Sequence, residues 1–295
     1  MRKLLLVALA GCVAQLIDGS LGMAYGVTST TLLLVVGMSP VLASASVHLA
    51  EIGTTLISGL SHAKFGNVDW HVARRIALPG AVGALSGALL LGRLPVHLAK
   101  IWVSAFLFCL GCYLILRFLL GRGIPHGADP STRTLVVTGG VAGFLDAMGG
   151  GGWGPVATPT LMVASRMHPS KVVGTVDTSE FLVSCAASLG FLLTISSGGI
   201  AFPIVACLLL GGAIAAPVAA WLVRHMHPSL LGVAVGGLIL LSNAHTMLET
   251  FRLPGVAALT AYLLVGGLWL VALAVASCAV LVERFYSNLQ RGLEI

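Results

Sequence analysis

Charge is what this sequence has least of. Asp, Glu, Lys and Arg together make up 9% of its 295 residues, against about 25% in an ordinary soluble domain. That shortage excludes a water-soluble globular protein. The net charge of +6 does not mark a nucleic-acid surface, because the basic residues sit at the ends of apolar stretches, where they act as topology determinants and headgroup anchors. The six cysteines, Cys12, Cys109, Cys112, Cys185, Cys207 and Cys278, all fall in oily segments. Cys109 and Cys112 form a CxxC with no second pair and no nearby His, so buried small hydrophobes are expected rather than a metal site. There is no HExxH, no GxSxG and no phosphate-binding loop. Neither enzymatic activity nor a cofactor is expected.

Apolar runs are present from end to end, each near the roughly 20 residues that cross a bilayer. The sequence predicts an all-α, polytopic integral membrane protein with about eight or nine membrane segments. The first block, residues 4–38, would be about 52 Å long as one straight helix, too long for a single span. It is interrupted at Asp18, Gly19, Ser20, Leu21 and Gly22, and again at Gly26. Two half-helices or a re-entrant hairpin are expected there. Spans follow near 40–62, 72–94 and 97–120, then a polar linker. A second long block, 133–165, is broken at 149–152, with Pro155 and Pro159 beyond. Further spans are expected near 169–196, 200–223, 228–247 and 255–281. The basic start, Arg2 and Lys3 before LLLVALAGC, resembles a signal sequence. Its counterpart before Asp146 is internal, however, so 4–17 is read as mature membrane structure.

The chain states one pattern twice. Asp18 falls on Asp146, Gly22 on Gly150, Gly26 on Gly154 and Thr30 on Thr158. After one residue of slip, Pro40 falls on Pro169 and Glu51 on Glu180. The organisation expected is a first membrane repeat at 1–120, a linker at 121–132, a second repeat at 133–248, and an extra helix and tail at 249–295. A duplicated, interrupted hydrophobic segment is the best sequence-level pointer to a transporter's binding site.

Two sets of residues carry the chemistry. Runs of glycine cannot continue a helix well, and unwound backbone at membrane depth survives only where protein buries it or water reaches it. Each break is followed by a fresh helix start, with free N–H groups and partial positive charge suited to an anion. The substrate-binding candidates are therefore Gly22, Gly26, Thr28, Ser29 and Thr30 in the first half. In the second they are Gly150, Gly151, Gly152, Trp153, Gly154 and Thr158, with Thr160 as a further hydroxyl. The second set is acidic. Asp18, Glu51, Asp146, Asp177 and Glu180 are half of the ten acids and lie in or beside oily sequence, where an ionisable group is a functional hypothesis by default. His48 precedes Glu51 by three residues and Asp177 precedes Glu180 by three, so each pair shares a helix face. Desolvation favours the neutral carboxyl, which suits proton uptake and release at Glu51 and Glu180. Asp18 and Asp146 are expected to cap the breaks. The remaining histidines, His62 among them, sit near span ends and are expected to anchor at the interface.

The order of these motifs resembles the TauE/SafE family of sulfite exporter-like permeases. The residues that carry it are Asp18-Gly19-Ser20-Leu21-Gly22-Met23-Ala24-Tyr25-Gly26 and Pro40. In the second half they are the glycines at 149–152, Pro155, Pro159 and Lys171-Val172-Val173-Gly174-Thr175. The resemblance covers nearly the whole chain. It implies a secondary transporter of small sulfur-containing anions, sulfite or organosulfonates, usually exporting them across the cell (inner) membrane. The partners expected are the lipid bilayer, a small anionic solute and protons as coupling ion, with no nucleic acid. Three alternatives stand beside it: a cation or metal permease using the intramembrane carboxylates, a membrane enzyme with Asp18 and Asp146 as a catalytic pair, and a packing scaffold.

Overall fold

The computed structural model describes residues 2–120, 130–165, 167–195, 200–222 and 255–293, with scattered positions from 229 to 251. Among the described residues every regular element is a helix. Ten are defined: α1 (Arg2–Leu21), α2 (Tyr25–Val35), α3 (Pro40–Lys64), α4 (Trp70–Leu91), α5 (Val96–Leu119), α6 (Thr132–Gly149), α7 (Trp153–Ala164), α8 (Pro169–Thr194), α9 (Phe202–Leu222) and α10 (Gly255–Leu293). Seven of them are long and apolar enough to cross a membrane: α1, α3, α4, α5, α8, α9 and α10. At 11 and 12 residues, α2 and α7 reach only about 16–18 Å, half a bilayer. The expected span at 228–247 lies largely outside the described residues, as does 121–129 of the expected linker.

The first oily block differs from its sequence reading. Asp18, Gly19, Ser20 and Leu21 stay helical, so α1 is a full-length helix followed by a half-length one. Ser20 hands its hydroxyl proton back to the carbonyls of Leu16 and Ile17, which keeps the turn wound. The break itself is only Gly22, Met23 and Ala24. Helix starts elsewhere follow local chemistry. Ser39 accepts from Leu42 N ahead of Pro40, and Asp69 accepts from His71 N and Val72 N, each satisfying donors that a first turn leaves orphaned.

The chain divides into two compact units. The first, Met1–Leu107 with Ile124–Met226, holds α1–α4, the start of α5 and α6–α9. At its centre α3 packs on α8. Outside that pair α4 packs on α8 and α6, while α9 packs on α3 and α1. The half-helix α2 lies on α1 and α3, and α7 lies on α6 and α8. Lipid tails are as apolar as leucine, so helices here gain by close approach rather than by leaving solvent. A Cβ on Gly83 would run into the Gly140 carbonyl, and one on Gly143 into the Gly80 carbonyl. These glycines let α4 and α6 cross with their backbones in contact. In the second unit, Phe108–Gly123 with His227–Ile295, α10 buries Ala272 and Ala276 against Val233, and Trp269 Nε1 donates to the Val233 carbonyl at 3.0 Å.

Candidate functional site

Both interruptions use the left-handed backbone that glycine tolerates best. Gly22 has φ 69°, Gly150 has φ 73° and Gly151 has φ 145°. Ala24, at φ 102°, is the only non-glycine among the described residues with positive φ, a strain of about 1–2 kcal/mol. An aspartate bridges each gap. The Asp18 carbonyl accepts from Gly22 N at 2.6 Å, closing α1, while its Oδ1 accepts from Tyr25 N at 3.2 Å, opening α2. The Asp146 carbonyl accepts from Gly150 N and Gly151 N at 2.9 and 3.0 Å. Its Oδ1 accepts from Gly152 N and Trp153 N at 2.8 and 3.0 Å. One residue thus ends one helix and caps the next, with its carboxyl at the positive end of the half-helix dipole.

The two breaks meet, and they meet reciprocally. Thr30 Oγ1 donates to the Gly150 carbonyl at 2.5 Å, and Thr158 Oγ1 donates to the Gly22 carbonyl. A Cβ on Gly26 would lie 2.9 Å from Gly151 Cα and 3.1 Å from Glu51 Oε1, and one on Gly154 would strike Met23. At these glycines the backbones of the two breaks are in direct contact.

Around the crossing stand two buried clusters, each able to bring three ligand-type atoms within 4.8 Å of one another. In the first, on α3 and α6, His48 Nδ1 donates to the Ser44 carbonyl at 2.8 Å. That contact turns Nε2 toward Asp146 Oδ2 at 3.1 Å and Glu51 Oε2 at 4.0 Å. Ser184 Oγ donates to Glu51 Oε2 at 3.5 Å, and Glu51 Oε1, buried, has no hydrogen-bond partner. An imidazole between two carboxyls can pass a proton from one to the other. The second cluster is Asp18, Asp177 and Glu180, on α1 and α8. Its only nearby imidazole, among the described residues, is His62, whose Nε2 stays 3.9 Å from Asp177 Oδ2. Among the described residues no Lys or Arg is buried, so helix starts, hydroxyls and neutral acids are the groups available to an anion.

Residues 7–246 match the family model described as "Sulfite exporter TauE/SafE". The chain belongs to the TauE/SafE family. It is also 48% identical over 277 residues to "Probable membrane transporter protein YtnM" of Bacillus subtilis (strain 168), covering 92% of this chain and 91% of that protein. No solved structure matches it. The protein is therefore a multi-pass membrane transporter of TauE/SafE type.

Within this TauE/SafE chain the residues singled out by sequence separate into groups. Gly22, Gly26, Thr30, Gly150, Gly151, Gly154 and Thr158 converge at the crossing. Gly152 and Trp153 supply the N–H groups bound by Asp146, but the indole turns away and donates to the Val176 carbonyl at 3.0 Å. Thr28 and Ser29 are buried with unpaired hydroxyls; Ser29 lines an apolar groove of about 710 Å³ with Leu4, Leu32 and Leu208. That groove runs along α1, α2 and α9, away from the acids. Thr160 spends its hydroxyl on the Val156 carbonyl. His62, expected at an interface, is fully buried. It completes a polar stripe on α3 (His48, Glu51, Thr55, Ser58, His62) at alternating spacings of three and four, a helix-face signal already legible in the sequence.

Proposed function

We propose that this protein is a secondary transporter that exports a small anion, sulfite or a related sulfur oxyanion or organosulfonate, across the cell membrane with protons as the coupling ion. One observation carries the reading. The half-helices α2 and α7 begin at one crossing, and each beginning already binds an anionic group of the protein's own, Asp18 or Asp146. A carboxylate that holds the N–H groups of a helix start occupies the geometry an oxyanion would take. Protonation of Asp146, through His48 and Glu51 beside it, weakens its hold on Gly152 N and Trp153 N and frees them for the solute. The bound proton offsets the charge of the bound anion, so no buried Lys or Arg is required.

Two homologous halves, 1–120 and 133–248, fit the packing. Exchanging α1 with α6, α2 with α7, α3 with α8 and α4 with α9 maps the α3–α8 contact onto itself and each other main helix contact of the first unit onto another. That supports alternating access by rocking one half against the other about the crossing. The family description and the relative's name support transport, and the sulfur anion follows the family description.

The test is flux of labelled sulfite, thiosulfate and a sulfonate in proteoliposomes under an imposed pH gradient. We expect transport above that of empty liposomes, stimulated by the gradient, with the gradient dependence lost in Glu51→Gln. Flux of none of these anions overturns the substrate assignment; gradient-independent flux overturns the coupling.

A further inference from the structure

The register that sets Glu51 on Glu180 also sets His48 on Asp177 and His62 on Phe191. These four residues make one contact twice, with the side chains exchanged. His48 on α3 packs on Phe191 of α8, ring centroids 5.7 Å apart. Asp177 on α8 faces His62 of α3, Oδ2 to Nε2, at 3.9 Å. Toward the close of α8 the first cluster therefore ends on a phenyl ring, which carries no proton. Toward the close of α3 the second ends on an imidazole.

His62 stands two residues before α3 ends at Lys64, and Lys64, Phe65 and Gly66 are exposed. The imidazole itself is fully buried beside Asn67, whose amide donates to Nδ1 at 3.4 Å. That bond leaves the proton of the neutral ring on Nε2. Nε2 faces two acceptors, Asp177 Oδ2 and the Gly19 carbonyl near the end of α1, and is hydrogen-bonded to neither. Asp177 is the titratable group that faces His62. Asp18 on α1 pairs with Asp177 from behind, Ser58 on α3 stands beside it, and Glu180 on α8 completes the cluster.

We infer that His62 is the proton port of the second cluster, carrying protons between the membrane surface at the end of α3 and Asp177. This rests on the proton coupling proposed above and adds its route and its side. A proton arriving at Nδ1 makes the ring an imidazolium, with Asn67 turning its amide so that the oxygen accepts from Nδ1–H. The Nε2–H bond then breaks and an O–H bond forms on Asp177 Oδ2. The products are a neutral ring and a neutral carboxyl, and release runs the same steps backward. The gap must shorten by roughly 1 Å for transfer, as such contacts do in the working state. Asp177 passes the proton to Asp18, which loosens Oδ1 from Tyr25 N and frees the start of α2. Phe191 denies the first cluster an equivalent port.

The experiment compares pH-driven net flux of labelled sulfite with sulfite–sulfite exchange at equal pH, using the full-length protein in proteoliposomes. Exchange returns a loaded carrier and needs no proton release, so the comparison separates proton transfer from solute binding. His62→Phe copies the residue at position 191, and His62→Gln keeps an N–H donor that does not titrate. Each should lower net flux roughly tenfold or more with exchange retained, and free imidazole should restore net flux in His62→Ala. Time-resolved infrared after a pH jump, on the full chain in detergent, reads Asp177 without any solute. The carboxyl band missing in Asp177→Asn should appear more slowly in both His62→Phe and His62→Gln. Unchanged net flux and band kinetics in His62→Gln overturn the port and leave the coupling standing. Exchange lost together with net flux, with imidazole restoring neither, makes His62 structural and overturns the port as well. Gradient-independent flux in the unmodified chain overturns the coupling by itself, and the infrared result then decides the port.

Discussion

Asp146 and Asp18 hold equivalent posts with unequal loads. Asp146 Oδ1 takes two backbone N–H groups and its Oδ2 faces His48; Asp18 Oδ1 takes the N–H of Tyr25. Truncation strands each buried donor at about 1–3 kcal/mol. Asp146→Ala should therefore lose more stability than Asp18→Ala, with Asp146→Asn between them because its amide oxygen can still accept. Chemical unfolding in detergent ranks the three, and a larger loss in Asp18→Ala would contradict the assignment. Ala24 offers a converse case. Its positive φ strains any residue with a Cβ, so Ala24→Gly should stabilise the chain by about 1 kcal/mol if no contact is lost.

Among elements, the half-helices are held to one another by two threonines. Thr30 reaches the carbonyl at the second break and Thr158 the carbonyl at the first. Each is a buried neutral hydrogen bond worth about 1 kcal/mol net. Thr30→Val and Thr158→Val keep the shape and remove the donor. Each should speed amide hydrogen exchange at both breaks, not only at its own, because the two ends open together. Exchange that rises on one side alone would show the latches to be independent. The long helices depend on a different device. α4 and α6 touch through Gly83 and Gly143, and Gly143→Leu forces their axes apart. It should abolish accumulation of folded protein in the membrane, as read by fluorescence-detected chromatography, since overpacking a backbone contact has no rotamer solution.

For the whole molecule, the closed crossing is the feature that matters. Gly26 packs on Gly151 and Glu51, so the proposed path through the crossing requires α2 and α7 to part, the motion alternating access demands. Gly26→Ala adds a single Cβ 2.9 Å from Gly151 Cα and 3.1 Å from Glu51 Oε1, tightening this contact while leaving the helix spans untouched. Transport should be lost at a membrane level near that of the unmodified chain. Normal flux in this variant would place the path elsewhere, and the apolar groove beside α9 has the volume, about 710 Å³, to be tested next.

What the sequence determined was local. Scarce charge and recurrent oily runs require a membrane solvent, because solvation is decided residue by residue. The glycine-rich interruptions could be read from backbone preference alone, and the buried acids stood out because ionisable groups in such runs are costly. Helix faces were equally legible, which is why His48 falls beside Glu51 and why the α3 stripe could have exposed His62. Tertiary packing decided the rest. Gly19 stays helical, although glycine is a poor helix former, in a turn where the Ser20 hydroxyl bonds back to α1. His48 turns toward Asp146, 98 positions away, and Thr30 toward Gly150, 120 away. No periodicity encodes such partners, because they follow from how closely glycine-lined helices cross and which way each half-helix then points.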